Sequence, residues 1–232
     1  YYDVKSNPTA YSSSGFYFNW LVENKINYNT TIKDAHSINV VLVQSAQKET
    51  YKGDNVTATD FPNDYIQTIS GGTVTKGASD KTQWTIASYL ARMQYSYKGK
   101  YMASAAIRAD GSSRFGKNNR WGYFPSASIA WRMEQEEFLK DVSWLNQLKL
   151  RFSYGATGNQ SIDPYTTFSM YGQGSGEISY ADGTGNKTTA MVVTNLSNSS
   201  LKWEKTSSWN VGLDFGLFNS RLSGTLDIYQ KK

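Results

Sequence analysis

Three stretches of the sequence carry residue types that could do chemistry. The acidic run "RMEQEEF" places Glu134, Glu136 and Glu137 close together, and a pair of carboxylates is the machinery of glycoside hydrolysis. The glycine-rich stretch "SYGATGNQ", residues 153–160, has the composition of a phosphate-binding loop. His36 is the sole histidine, and an imidazole can serve as a metal ligand or as a catalytic base.

None of the three stretches has the partners that its chemistry requires. Apolar residues follow the three glutamates, which indicates a short helical turn between strands. The glycine-rich stretch lacks the spacing of a phosphate loop and precedes no helical pattern, so it reads as a strand exit and turn. No partner of His36 lies at the spacing of a catalytic dyad or a metal site. The sequence therefore predicts no catalytic residue, no metal site and no cofactor, and the chain is interpreted as not an enzyme.

The composition of the 232 residues favours β structure and excludes several classes of protein. Aromatic residues make up 15% of the chain, with 17 Tyr and 7 Trp, and such residues are enriched in strands. The absence of cysteine removes thiol catalysis, Cys-zinc sites and disulfide scaffolds. The net charge of +5 is spread along the chain, whereas nucleic-acid binding predicts a concentrated basic face. No run of about 18 apolar residues is present, so no transmembrane helix is predicted.

Alternation of apolar and polar residues is the main structural signal. It predicts four well-defined strands, at 99–110, 121–133, 145–155 and 203–217. Further strands are predicted at 20–33, 36–50, 84–98 and 221–230, with a short one at 165–171. The second face of these strands carries many charged residues, which a sandwich core would reject and a water-filled lumen would accept.

The predicted connections alternate in length. Tight turns are expected at 97–100 and 218–221, and long polar loops at 51–82, 110–120, 156–164 and 172–202. Short turns on one side and long loops on the other are the architecture of an outer-membrane barrel. The fold class expected is therefore all-β, a section of an antiparallel transmembrane β-barrel. A soluble antiparallel sheet with one face in water has the same alternation and stays open as an alternative.

Several long blocks of the chain resemble one family. They are "YSYKGKY" (95–101), "RADGSSRFGKNNRWGYFPSASIAWRMEQEEF" (108–138), "LKLRFSYGATGNQ" (148–160), "LKWEKTSSWNVGLDF" (201–215) and "RLSGTLDIYQKK" (221–232). Their sequence, order and spacing resemble the C-terminal half of the SusC/RagA class of TonB-linked outer-membrane transporters. The resemblance is strong over 84–232 and looser over 20–66.

The resemblance implies a plugged barrel of about 22 strands, of which residues 1–232 would form one part. The signal peptide, the plug and the TonB-contacting segment are not found in this chain. Such transporters import oligosaccharides and sometimes peptides across the outer membrane of Gram-negative bacteria of the Bacteroidota type. A SusD-like surface lipoprotein acts as the lid, and the TonB–ExbB–ExbD system supplies energy through the N-terminal part. The resemblance implies neither catalysis nor nucleic-acid binding.

Two groups of residues are the candidates for contact with cargo or lid. The first group is basic and lies in one long loop, and the second consists of tyrosines in a loop-like context. The candidates are Arg114, Lys117 and Arg120, and Tyr165, Tyr171 and Tyr180. For each group ordinary turn geometry or loop packing is the competing interpretation.

Two other functions stay open on the sequence. A soluble or surface all-β carbohydrate-binding or adhesin module would present the polar faces as its outer surface. A passive porin would need no plug and no TonB contact. The abrupt ends of the chain are read as those of a piece of a larger protein.

Overall fold

The computed structural model describes residues 8–63, 65–66, 68–173, 179–181, 187–189 and 191–232. Within these residues the chain is almost all strand, with three single 3-10 turns at Ile69–Gly71, Met133–Gln135 and Glu137–Leu139. None of the helices described is long and apolar enough to cross a membrane.

The strands are numbered in chain order. They are β1 (Ala10–Ile32), β2 (His36–Thr59), β3 (Thr73–Tyr97), β4 (Tyr101–Ser112), β5 (Trp121–Arg132), β6 (Leu145–Asn159), β7 (Met170–Gln173), β8 (Ser179–Ala181), β9 (Lys187–Thr189), β10 (Met191–Asn195), β11 (Glu204–Leu217) and β12 (Leu222–Lys231). Eight of them form one sheet in the order β1-β2-β3-β4-β5-β6-β11-β12. The connection from β6 to β11 carries two small hairpins, β7 with β10 and β8 with β9.

The antiparallel all-β fold predicted from the alternation is confirmed, but several boundaries were wrong. Strands β1, β2 and β3 are 23, 24 and 25 residues long, much longer than the segments predicted at 20–33, 36–50 and 84–98. The predicted loop 51–82 is mostly strand, because β2 continues to Thr59 and β3 begins at Thr73. Serine, threonine and lysine dilute the apolar alternation in these extensions, so their strand signal is weak.

The other long loops were also drawn too wide. The predicted loop 156–164 begins only after Asn159, because β6 continues to that residue. The short strand predicted at 165–171 is β7, which begins at Met170. The predicted loop 172–202 contains β8, β9 and β10. The tight turns at 97–100 and 218–221 are present, and the chain turns again at 33–35.

The chain divides into two compact units. The first consists of the described residues up to Leu21 together with Gln47–Thr85, and the second of Val22–Ala46 with Ile86–Lys232. The first unit contains the outlying parts of β1, β2 and β3, with Ala58 and Phe61 buried. The second unit contains the rest of the sheet and every connection after β3.

Three polar side-chain pairs join β1 to β2 at equal intervals along the strands. The pairs are Asn19–Glu49, Asn24–Gln44 and Asn29–Asn39. Successive pairs are five residues apart on each strand. Because five is odd and side chains alternate along a strand, the pairs lie alternately on the two faces of the sheet. These pairs fix the register of two strands whose apolar pattern alone specifies it weakly.

Candidate functional site

In the second unit one face of the sheet is apolar and open to its surroundings. Along β4 and β5 it is built by the paired residues Ala103 with Ile129 and Ala109 with Tyr123. The same face continues over β6, where Phe152 lies beside Ile129. Ile129 is 60% exposed and Phe152 is 44% exposed. A soluble monomer rarely leaves so continuous an apolar surface uncovered.

Two rows of aromatic rings bound this apolar face. At the short turns, His36, Tyr97, Tyr101 and Trp131 follow one another with ring centroids 4.9, 6.4 and 6.4 Å apart. At the opposite end, the rings of Tyr89 and Trp121 stack at 6.1 Å. Trp121 and Trp131 lie at the two ends of β5, about 25 Å apart along a membrane normal for a strand rise of about 3.3 Å and the usual barrel tilt. That is the height of the apolar band of outer-membrane barrels.

The opposite face of the same strands is polar and internally hydrogen-bonded. Ser104 and Ser128 bond across β4 and β5 at 2.7 Å. The Arg108 Nε donates to both carboxylate oxygens of Asp110, at 2.9 and 2.7 Å. A shallow groove of about 530 Å³ runs over this face, and its polar lining includes Ser96, Ser104, Ser128, Lys149, Arg151 and Ser153. Its serines and basic groups offer both donors and acceptors to a polar ligand.

An ion-pair network crosses three strands of the polar face. Arg151 on β6 donates to both oxygens of Asp214 on β11, at 2.9 and 2.8 Å, and reaches Asp227 on β12 at 3.4 Å. Gly212 makes the reach possible, because a Cβ atom there would lie 2.6 Å from the Arg151 guanidinium and 2.6 Å from the Asp227 carboxylate. A bidentate guanidinium fixes geometry as well as charge.

Carboxylates close the short-turn end of the second unit. Glu136, in the connection between β5 and β6, accepts hydrogen bonds from Tyr101 Oη, from Trp131 Nε1 at 2.9 Å and from Lys100 Nζ at 3.0 Å. The Tyr101 hydroxyl above all, with Lys100 and Trp131, lowers the pKa of Glu136 to about 2. Glu134 accepts from Arg132 Nε at 2.8 Å and from the backbone N–H of Leu148 at 3.2 Å.

The long-loop end is closed by a small aromatic core. Phe115, Phe124 and Trp203 are buried there, with Ile86, Ile162 and Leu201 packed around them. The indole of Trp203 donates to the backbone carbonyl of Arg120 at 2.8 Å. Gly158 provides the space for Phe124, because a Cβ atom at Gly158 would lie 2.0 Å from the tip of the Phe124 ring. The loop after β4 and the start of β11 are thereby held together.

Comparison with known proteins places this two-faced sheet in a family. The family model described as "TonB dependent receptor-like, beta-barrel" matches residues 1–232. The chain belongs to the TonB-dependent receptor β-barrel family. The fold is therefore a section of an antiparallel barrel wall, as the sequence predicts.

Relatives within the family include the SusC class that the sequence resembles. The chain is 36% identical over 218 residues to TonB-dependent receptor P39 of Formosa agariphila. The aligned region covers 93% of this chain and 20% of that protein. It is 43% identical over 152 residues to TonB-dependent receptor SusC of Bacteroides thetaiotaomicron. This aligned region covers 65% of this chain and 15% of that protein. The chain thus spans about a fifth of the length of these relatives.

A solved structure has the same fold. The structure of the RagAB peptide transporter superposes with a TM-score of 0.82 at 25% identity, over 97% of this chain and 24% of that one. The resemblance to the SusC/RagA class read from the sequence is confirmed by these relatives together with the family match.

The three basic candidates of this receptor section lie in the loop between β4 and β5 but differ in setting. Arg114 is half-buried, and its guanidinium donates to the backbone carbonyl of Ile162. This contact ties the loop to the segment after β6. Lys117 and Arg120 are exposed, and the Arg120 carbonyl accepts the Trp203 bond. A contact of Arg114, Lys117 or Arg120 with lid or cargo stays a prediction.

The three tyrosine candidates lie in the connection between β6 and β11 of the receptor wall. Tyr165 is half-buried in a turn at a positive φ of 69°. Tyr171 is 64% exposed on β7, opposite Val193 on β10. The backbone of Tyr180 lies in β8, but its side chain is outside the described residues. Tyr171 is thus more open to a ligand than Tyr165, and a contact of any of the three tyrosines with lid or cargo stays a prediction.

The other stretches with possible chemistry have structural roles in the receptor wall. Two of the three glutamates close the short-turn end, and Glu137 bonds to Lys140. His36 begins β2 beside tyrosines, and its Nδ1 lies 2.8 Å from the Tyr95 hydroxyl. Among the described residues, no group of three His, Cys, Asp or Glu side chains could hold a metal ion. Sequence reasoning missed the polar cluster at Asn19, Glu49 and Trp84, because each residue lies in a separate strand.

Proposed function

We propose that this chain is part of the barrel wall of an outer-membrane transporter that imports nutrients with energy delivered through TonB. The observation that carries the proposal is the apolar face bounded by two aromatic rows about 25 Å apart, in a chain of the TonB-dependent receptor family. Such a face fits hydrocarbon, and the opposite polar face fits a lumen. All of residues 1–232, in both compact units, would then belong to one barrel.

The two ends of the strands take different positions under this proposal. Short turns face the periplasm in barrels of this kind, and long loops face the outside. The short-turn end with Glu136 would then lie on the periplasmic side. The loop carrying Lys117 and the hairpin carrying Tyr171 would lie outside, where a SusD-like lipoprotein lid and the cargo approach.

Oligosaccharides are the proposed cargo, with peptides as the second possibility. The polar face offers hydroxyls and fixed ion pairs such as Ser104–Ser128 and Arg151–Asp214, a mixture of donors and acceptors that suits hydroxyl-rich ligands. A similar structure is titled a peptide transporter, which keeps peptides as the second possibility. Movement of cargo past this section requires no bond chemistry, and the energy enters through the TonB–ExbB–ExbD system outside this chain.

The test uses the full-length receptor in its own host. A strain lacking the receptor gene is complemented with the intact gene, and uptake of labelled neutral oligosaccharides and of labelled peptides is followed. Import that needs the receptor and stops when a protonophore collapses the proton gradient supports the proposal. Import that continues with the protonophore would identify a passive porin, and release of the receptor by washing without detergent would identify a surface module.

A further inference from the structure

A cluster of aromatic and amide side chains lies in the first unit and includes the residues Asn19, Glu49 and Trp84 named above. It consists of Tyr17, Asn19, Gln47, Glu49, Tyr51 and Trp84, and is called here the aromatic–amide cluster. The residues come from β1, β2 and β3. Hydrogen bonds join Asn19, Gln47, Glu49 and Trp84 to one another. The rings of Tyr17 and Tyr51, two residues away along β1 and β2, form a contact of their own.

The polar members of the cluster hold one another in place. Glu49 accepts from Trp84 Nε1 at 3.0 Å with one oxygen and from Asn19 Nδ2 at 3.0 Å with the other. The Asn19 carbonyl accepts from Gln47 Nε2 at 3.2 Å. A carboxylate has room for about four acceptor bonds, so Glu49 can receive further donors from a ligand. The groups are therefore oriented before a ligand arrives.

Two tyrosine rings of the cluster contact each other beside these groups. The rings of Tyr17 and Tyr51 lie 4.6 Å apart between centroids, at an interplanar angle of 37°. The Tyr51 ring lies low on the sheet, because Gly53 and Gly15 face it. A Cβ atom at Gly53 would lie 2.4 Å from the Tyr51 hydroxyl, and one at Gly15 3.1 Å from the ring. Tyr17 stays 67% exposed, so an apolar ring surface is open next to the amides.

We infer that the aromatic–amide cluster is a binding subsite for a neutral sugar unit of an oligosaccharide. A pyranose ring has an apolar face that can lie on an aromatic side chain and hydroxyls that both donate and accept hydrogen bonds. The cluster offers both functions, as Glu49 accepts while Asn19 and Gln47 carry amide donors. The Glu49 charge opposes an anionic ligand, and the mixture of donors and acceptors suits the hydroxyls of a neutral sugar.

This inference rests on the proposed import function, since the sugar unit would be part of the cargo. The test is direct binding, which needs no energy supply, so that its outcome is separate from that of the uptake experiment. Purified full-length receptor in detergent is titrated calorimetrically with maltohexaose, cellohexaose and xylohexaose. Neutral and lysine-containing hexapeptides are titrated in parallel.

Neighbouring aromatic residues of β1 supply a matched control. Tyr17→Ala removes a ring from the cluster, and Phe16→Ala removes a ring of similar exposure, 63%, whose side chain points to the opposite face of the strand. Tyr17→Ala is expected to weaken binding of at least one hexasaccharide about tenfold, while Phe16→Ala leaves it unchanged. Glu49→Gln, which keeps the shape but replaces an acceptor by a donor, is expected to weaken the same binding.

Three results would overturn the inference. Hexasaccharide binding that survives both Tyr17→Ala and Glu49→Gln places the sugar elsewhere and leaves the import proposal intact. The absence of binding by any of the three hexasaccharides removes the neutral-sugar assignment. Peptide binding that is lost in Tyr17→Ala would assign the cluster to a peptide instead. Failure of the uptake experiment alone, with sugar binding intact, would contradict import but not the subsite.

Discussion

The two ends of the second unit are closed by different physical means. At the short-turn end, Glu136 gathers donors from Lys100, Tyr101 and Trp131, all beside strand ends. At the long-loop end, Phe115, Phe124 and Trp203 are buried together. The centroid of the Trp203 ring lies 5.1 Å from that of Phe115 and 5.4 Å from that of Phe124. One end depends on polar contacts, the other on a small apolar core.

The difference follows from the length of the connections. The turn at 98–100 hardly leaves the sheet, so the strand ladder holds it and a few side-chain bonds suffice. The connection between β6 and β11 is much longer, and ordering that many residues costs conformational entropy. Burial of aromatic surface offsets this cost. A long loop therefore needs a core of its own, and a tight turn does not.

Loss of the loop core should have the largest effect. Trp203→Ala removes the central ring and its bond to Arg120, and a buried Trp→Ala change costs about 3–5 kcal/mol. Hydrogen–deuterium exchange of the full-length receptor should show faster exchange at 113–120 and 160–168. Phe168→Ala, a change at a ring that is 56% exposed, is the control. Equal effects of the two variants would contradict the conclusion that burial of Phe115, Phe124 and Trp203 holds these loops.

A smaller effect is expected from crowding the same core. Gly158→Ala would bring a Cβ atom within 2.0 Å of Phe124, and overpacking of this kind costs about 1–3 kcal/mol. Gly155→Ala in the same strand is matched, since its Cβ atom would lie 3.5 Å from Ser126, an ordinary contact. Thermal unfolding should separate the two variants, and indistinguishable melting temperatures would show that the Phe124 ring moves aside freely.

The polar closure should respond to pH. The pKa of Glu136 in the folded protein is about 2, against an ordinary value of 4.5. A lowered carboxylate pKa stabilises the folded state above about pH 4.5, and this contribution is lost as the pH falls towards 2. The difference in melting temperature between wild type and Glu136→Gln should therefore shrink from pH 4.5 to pH 2. A difference that stays constant over this range would argue against the carboxylate as the cause.

The smallest effect is expected for an ion pair outside both closures. Lys140 pairs with Glu137 three residues earlier, with the two side chains 55% and 84% exposed. Exposed pairs of this kind contribute little because water and salt screen them. Lys140→Ala should leave the melting temperature unchanged within error. A fall in melting temperature as large as that of Glu136→Gln would show that the exposed pair stabilises the protein as much as the Glu136 contacts do.

Sequence reasoning predicted β4, β5, β6 and β11 well but did not predict the outlying parts of β1, β2 and β3. The strands β4, β5, β6 and β11 alternate cleanly, because one face meets an apolar surrounding and the other does not, and their predicted bounds agree with the structure to within a few residues. The outlying half of β2, "KETYKGDNVTAT", is polar at almost every position, so no periodicity marks it as strand. Pairing with β1 and β3 holds it extended.

The contacts at the two ends could not be read from the sequence. Glu136 and Tyr101 are far apart in the chain, as are Phe115 and Trp203, and only strand order brings them together. The glutamate run suggested paired acids, but each glutamate accepts hydrogen bonds from neighbouring donor groups instead. The ion pair of Arg108 and Asp110 is local, because the two residues lie two positions apart in the same strand. For the remaining contacts no local pattern existed.

The three evenly spaced polar pairs between β1 and β2 have a consequence for how the hairpin assembles. A slip by two residues keeps the faces of the strands but breaks all three pairs. A slip by one full interval can re-form two of the pairs, but the odd interval then turns the apolar side chains of one strand to the face opposite those of the other. Either slip costs favourable contacts, so a misaligned β1–β2 hairpin is unstable before β3 pairs with it. The asparagines thus act as a check on strand alignment at the earliest stage of assembly.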